Sequence, residues 1–140
     1  MRPFFNLTLM TLALTLVTGF SQLASASGSL KDNMKEAGTL FKAIGQTIND
    51  PSKNAENAAY SVQMAEYFRL TLTQAPEHMN EIPEAHRAEA FKMYQALIQK
   101  SVDHSLALQQ AFLNNDNAAA ITLYDEMKDL KQEGHDQFDP

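Results

Sequence analysis

The chain has no cysteine and no tryptophan, only five glycines and five prolines, and fewer basic than acidic side chains. Without cysteine it has no disulfide framework, no thiolate metal site and no thioether attachment of a cofactor through Cys-x-x-Cys-His. With 11 Lys and Arg against 17 Asp and Glu, a formal charge of −6 and no basic cluster in the sequence, it lacks the concentrated positive charge that phosphate-backbone binding needs. Nucleic acid is therefore not an expected partner. Gly-rich phosphate loops are absent, and so are the signals of a sheet: no sustained period-two alternation, and no Asn-Gly or Asp-Gly between apolar segments. What remains is 140 residues, 44% hydrophobic and 20% charged, a length that suits one compact domain.

The only long apolar run lies at the start. Residues 1–26 begin with Arg2, continue through an apolar stretch over 4–20 and end in Ala24-Ser25-Ala26, the charged, apolar and small-x-small order of a cleavable signal peptide. A retained anchor is the rival reading, but Asn6 and four threonines interrupt the 17-residue stretch, which is at the bottom of the spanning range. Removing 26 of the 140 residues leaves a 27–140 domain of 114, and because Arg2 goes with the leader the charge becomes 10 basic against 17 acidic, or −7. No lipobox cysteine is present for lipid attachment. The periplasm is the expected compartment, and a cysteine-free chain escapes disulfide scrambling there.

Four helical stretches follow. Leu30, Met34, Ala37, Phe41, Ile44 and Ile48 recur in steps of three and four, one stripe on one helix. Ser29 is placed to accept from the backbone N–H of Asp32, and Asp50-Pro51 stops propagation. A second run over about 54–74 carries Ala58, Val62, Ala65, Phe68 and Leu72 before Ala75-Pro76. After a polar stretch with Pro76 and Pro83, a long third run shows Phe91, Tyr94, Ile98, Val102, Ser105, Leu108 and Phe112. Asn114-Asn115-Asp116-Asn117 reads as a turn and N-cap, and the last run sets Ala120, Leu123, Met127 and Leu130 on one face before Gly134, His135 and Phe138. Helices of about 20 residues, each roughly 30 Å long, with short connections predict an all-α, antiparallel up-down-up-down four-helix bundle.

Few side chains in this pattern carry chemistry. The candidates are His78, His86, His104 and His135, with Met34, Met64, Met79, Met93 and Met127. His104 adjoins Asp103 and Ser105, but neighbours on a helix point apart and form no nucleophile–base chain. The paired Glu-x-x-His of di-iron bundles is absent, since Glu84 and Glu133 each lie two residues before a histidine. In the expected topology the start of helix one, the second connection and the end of helix four share one end of the bundle. Met34 and His135 then meet there, a thioether facing an imidazole, which is a reasonable axial pair for haem iron. A methionine on a helical stripe is more often core filler, and a histidine in a last turn often only complements the helix end, with Gly134 as a C-cap before it.

Leu30-x-Asp32-Asn33-Met34 near the start of the 27–140 domain, and a chain that ends a few residues beyond His135, resemble the soluble cytochrome b562 family. The resemblance spans 27–140 and implies a four-helix bundle with one non-covalent haem b bound by Met34 and His135. Lys131-Gln132-Glu133-Gly134-His135-Asp136 also resembles the haem-attachment end of cytochrome c-prime, with Lys131 and Gly134 where cysteines would stand, so attachment is not covalent. The second connection is longer than the family's pattern and contains His78 and His86, either of which is an alternative sixth ligand to Met34. The resemblance implies a periplasmic, monomeric one-electron carrier rather than an enzyme, with redox proteins as partners and no membrane contact after cleavage. The rival reading is a haem-free helical bundle serving as a stress adaptor or binding module.

Overall fold

The computed structural model describes residues 28–138, and the proposed leader and its cleavage site lie outside them. Among the described residues there are no strands, and four helices carry the fold: α1 (Leu30–Thr47), α2 (Asn54–Thr71), α3 (Glu84–Leu113) and α4 (Asn117–Phe138). Short 3-10 turns at Pro51–Lys53 and Glu77–Glu81 fill the first two connections.

Local chemistry explains most of the boundaries. Ser29 and Asp32 form a reciprocal capping box: the Asp32 N–H donates to Ser29 Oγ at 3.2 Å and the Ser29 N–H to Asp32 Oδ2 at 3.3 Å, which satisfies two of the donors a helix start leaves open. Asp50 then accepts from Ser52 N–H at 3.0 Å and from Ser52 Oγ at 2.7 Å, holding the turn that Pro51 begins. The turn after α3 closes in a Schellman arrangement. The Asp116 N–H reaches Ala111 O at 2.9 Å and the Asn115 N–H reaches Phe112 O at 3.0 Å, with Asn115 at φ 55° taking the left-handed position that asparagine tolerates. Asp116 caps α4 through the Ala119 N–H at 3.0 Å.

Two boundaries differ from the periodicity. α3 begins at Glu84, well before the first stripe residue, Phe91. Residues 84–89 are exposed and so show no stripe, but Pro83 stands at the cap, and Arg87 reaches back to Ile82 O at 2.8 Å and Asn80 O at 3.1 Å. At the other end of the chain, Gly134 does not cap α4, which runs on to Phe138. A Cβ at Gly134 would stand 3.2 Å from Leu97 Cδ2, so the glycine admits a close approach of α4 to α3.

Packing follows α1 on α2, α2 on α3 and α3 on α4, while α1 meets α4 more sparsely. The main core gathers Ala37, Ile44, Met64, Leu108, Phe112, Ala120 and Met127, each large member contributing about 1.5–3 kcal/mol on burial. α2 supplies small and polar residues to this interior. Asn54, Asn57, Ser61 and Thr71 are buried beside Ala58, Met64 and Ala65, whereas Val62 on the expected stripe is only half-buried. Hydrogen bonds satisfy most of these groups, and Asn57 Nδ2 is the buried donor left without a partner among the described residues. Asn54 Nδ2 donates to Asn115 Oδ1 at 3.1 Å and Asn117 Oδ1 at 2.9 Å, and Asn117 Nδ2 donates to Ile48 O at 2.9 Å, joining the ends of three segments.

Candidate functional site

A second apolar cluster collects the first turns of α1, the end of α2, the turn before α3, the early part of α3 and the last residue of α4. Met79, Tyr94 and Ile98 are buried in it, and Leu30, Met34, Phe68, Leu72, Ile82, Ala90, Phe91 and Phe138 pack around them. Tyr94 organises the group. Its ring stacks on Phe91 with centroids 5.9 Å apart and meets Phe138 edge-on at 5.5 Å, while its hydroxyl donates to Thr71 O at 3.1 Å. Burial raises the Tyr94 pKa above the usual phenol value, so the group stays neutral and its proton is held by the carbonyl. Beside Met34, buried Asn33 donates to Gly28 O at 3.1 Å and to Gln74 Oε1 at 3.2 Å, and Gln74 donates to Gly28 O at 2.9 Å. This polar clasp ties the start of α1 to the end of α2.

Met34 is thus half-buried in an aromatic, water-poor surrounding. His135 sits three residues before Phe138 on α4 and is exposed. It lines a groove of about 470 Å³ between α1 and α4, with Gly38, Phe41, Lys42, Tyr124, Lys128, Lys131 and Gln132. Met34 is not among that groove's lining residues. The two candidate ligands therefore occupy adjoining regions, Met34 in the cluster and His135 on the groove.

The other candidates separate clearly. His78 is half-buried and its Nδ1 lies 2.9 Å from Glu81 Oε2 within its own turn. His86 is exposed on the first turn of α3. Met64 and Met127 are buried in the main core, and Met93 is exposed. Met79, by contrast, is a second thioether in the same cluster as Met34. His104 is half-buried and bridges α3 to α4: Nδ1 meets Lys100 O at 2.9 Å and Nε2 meets Glu126 Oε2 at 3.0 Å. A shallow groove of about 370 Å³ lies there, lined by Lys100, His104, Glu126, Asp129, Leu130 and Glu133.

Among the described residues no group of three or more His, Asp or Glu is placed to hold a metal ion. That bears on a bare ion and not on iron carried in a porphyrin, which takes one or two protein donors. The donor types that haem takes, a thioether and an imidazole, are present at Met34 in the cluster and at His135 on the groove. No helix among the described residues is long and apolar enough to cross a membrane.

No protein-family model matches the chain, and comparison with curated proteins and with solved structures finds no significant match. The class defined by the fold is a four-helix, all-α protein with an aromatic cluster joining its four helices.

Proposed function

We propose that the chain is an exported b-type cytochrome, a one-electron carrier that binds one non-covalent haem with Met34 and His135 as axial ligands. The observation that carries this reading is that Met34 and Phe138, three residues beyond His135, pack in one apolar cluster. We infer an antiparallel up-down-up-down arrangement. In its favour, the cluster takes the beginnings of α1 and α3 with the ends of α2 and α4, and Phe41 stacks on Tyr124 while Gly38 shares a groove with His135 farther along α4.

In this reading each residue has a physical task. When bound, haem supplies a one-electron couple that no side chain here provides. Met34 offers a soft thioether, which favours the reduced metal and raises the potential, and His135 offers the stronger imidazole donor. Tyr94, Phe91, Met79 and Phe138 keep the Met34 side dry and low in dielectric, and the Asn33–Gln74–Gly28 clasp fixes the helix turn from which Met34 projects. Held by both Met34 and His135, a haem would supply electron transfer rather than oxygen chemistry. The periplasm is the proposed compartment, and the exported form should begin at Ser27 by mass spectrometry.

Ligand variants test the assignment through the absorption and spin state of the haem-loaded protein. His135→Ala should be the most damaging change and abolish stable haem binding, because it removes the stronger iron bond. Met34→Ala should retain haem more weakly, in a high-spin form open to external ligands. His78→Ala and His86→Ala should leave the ferrous spectrum unchanged. A low-spin spectrum that survives Met34→Ala and disappears with either histidine change would transfer the sixth ligand to the second connection.

A further inference from the structure

The groove between α1 and α4 has a construction that axial ligation does not require. One wall is aromatic: Tyr124 lies flat on Phe41, with ring centroids 4.2 Å apart and planes 15° from parallel. Beside this stack Gly38 leaves open room, since a Cβ built there meets nothing within 4 Å. The lip is basic and is drawn from both helices, Lys42 from α1 and Lys128 and Lys131 from α4. Its sign is opposite to the chain's net −6.

The lip charges are not equally engaged. Lys128 is held by Asp125 at 2.6 Å and lies 5.5 Å from the centre of the Tyr124 ring. Among the described residues neither Lys42 nor Lys131 is paired with a carboxylate. Two such ammonium groups beside a recess with one aromatic wall favour a ligand with matching halves. A flat hydrocarbon body gains dispersion and burial against the stacked rings, and an anionic head gains charge-assisted hydrogen bonds from the lysines. The recess of about 470 Å³ falls within the usual range for small-molecule sites.

We propose that this groove is a binding site for a small aromatic anion, a planar apolar body carrying one carboxylate or sulfonate. The body lies along Phe41 and Tyr124 over Gly38, and the head meets Lys42 and Lys131. The groove is the one that His135 lines, so a haem held by His135 and this anion would compete for it, and added haem should displace the anion.

The test is calorimetric titration of the haem-free protein with 8-anilinonaphthalene-1-sulfonate, alongside its uncharged relative N-phenyl-1-naphthylamine. The sulfonate should bind at one site per chain. Replacing both lysines, Lys42→Gln with Lys131→Gln, should weaken the sulfonate by about tenfold or more and leave the neutral compound within about twofold. Gly38→Leu puts a side chain where a Cβ meets nothing within 4 Å and should abolish binding of both compounds, with the thermal midpoint no lower than wild type. Sulfonate binding that ignores both changes, or that spreads over many equal weak sites, overturns the proposal. So does binding of poly-glutamate through the same lysines with no sulfonate binding, which would make the lip a docking surface for an acidic protein.

Discussion

At the residue scale, the start of α1 depends on one hydroxyl. Ser29 Oγ accepts the Asp32 N–H, and the same hydroxyl donates to Asp32 Oδ2 at 2.7 Å. Ser29→Ala should therefore cost about 1 kcal/mol in urea denaturation at neutral pH. The carboxyl adds a pH signature. The hydrogen bonds from the Ser29 side chain and backbone hold Asp32 below its usual 3.8. A lowered folded-state pKa stabilises above the ordinary value and loses that contribution as pH falls through the lowered one. The gap between wild type and Ser29→Ala should accordingly narrow on acidification, with the Asp32 titration of the variant, followed by NMR, moving up toward 3.8. A gap independent of pH, or an Asp32 titration unmoved by the change, would mean that the hydroxyl does not set this cap.

At the element scale, two glycines of one helix make opposite demands. Gly38 faces open groove, whereas a side chain at Gly45 would run into the hydroxyl and Cζ of Tyr124. Tyr124 cannot yield freely, because its ring is stacked on Phe41 at 4.2 Å. Gly38→Ala should stabilise by about 0.5–1 kcal/mol through helix propensity. Gly45→Ala should destabilise by about 1–3 kcal/mol through overpacking, with loss of the Tyr124 near-ultraviolet signal. Equal effects of the two changes in thermal denaturation would contradict this packing of α1 on α4.

The same scale shows what was legible in the sequence. The stripe of α1, its cap, the Asn-rich turn and the stop at Pro51 are local rules, and each appears where the residues placed it. The buried face of α2 was not legible, because Asn54 and Asn57 look like surface residues until partners from Asn115, Asn117 and Thr47 arrive from elsewhere in the chain, while Ser61 and Thr71 turn their hydroxyls back onto the helix carbonyls of Asn57 and Phe68. The lysine lip was hidden for a related reason. Lys42 and Lys131 are 89 positions apart in the sequence, and only packing of α1 beside α4 makes them one feature. The Gly38, Phe41, Lys42 and Gly45 spacing was the available sign, a second face of α1 with room for a neighbour.

At the scale of the whole molecule, two regions share the end of α4. Phe138 enters the cluster that contains Met34, Met79 and Tyr94, while His135 faces the groove with Gly38 and Lys131. A single helical end thus contributes an apolar plug to one region and an imidazole to the other. The absence of cysteine at 131 and 134 means that any haem must be held by coordination and burial alone. The cluster and the two donors together are what the proposed function requires of this fold.

The most direct measurement is a titration of haem into the haem-free protein, followed by its Soret absorption in the ferric and dithionite-reduced forms. The account predicts saturation at one haem per chain and a low-spin ferrous spectrum with sharp visible bands. It also predicts complete extraction of the haem into acidified acetone. A Soret band indistinguishable from that of free haem at every ratio would contradict the cytochrome reading, and haem retained on the polypeptide after extraction would contradict non-covalent binding.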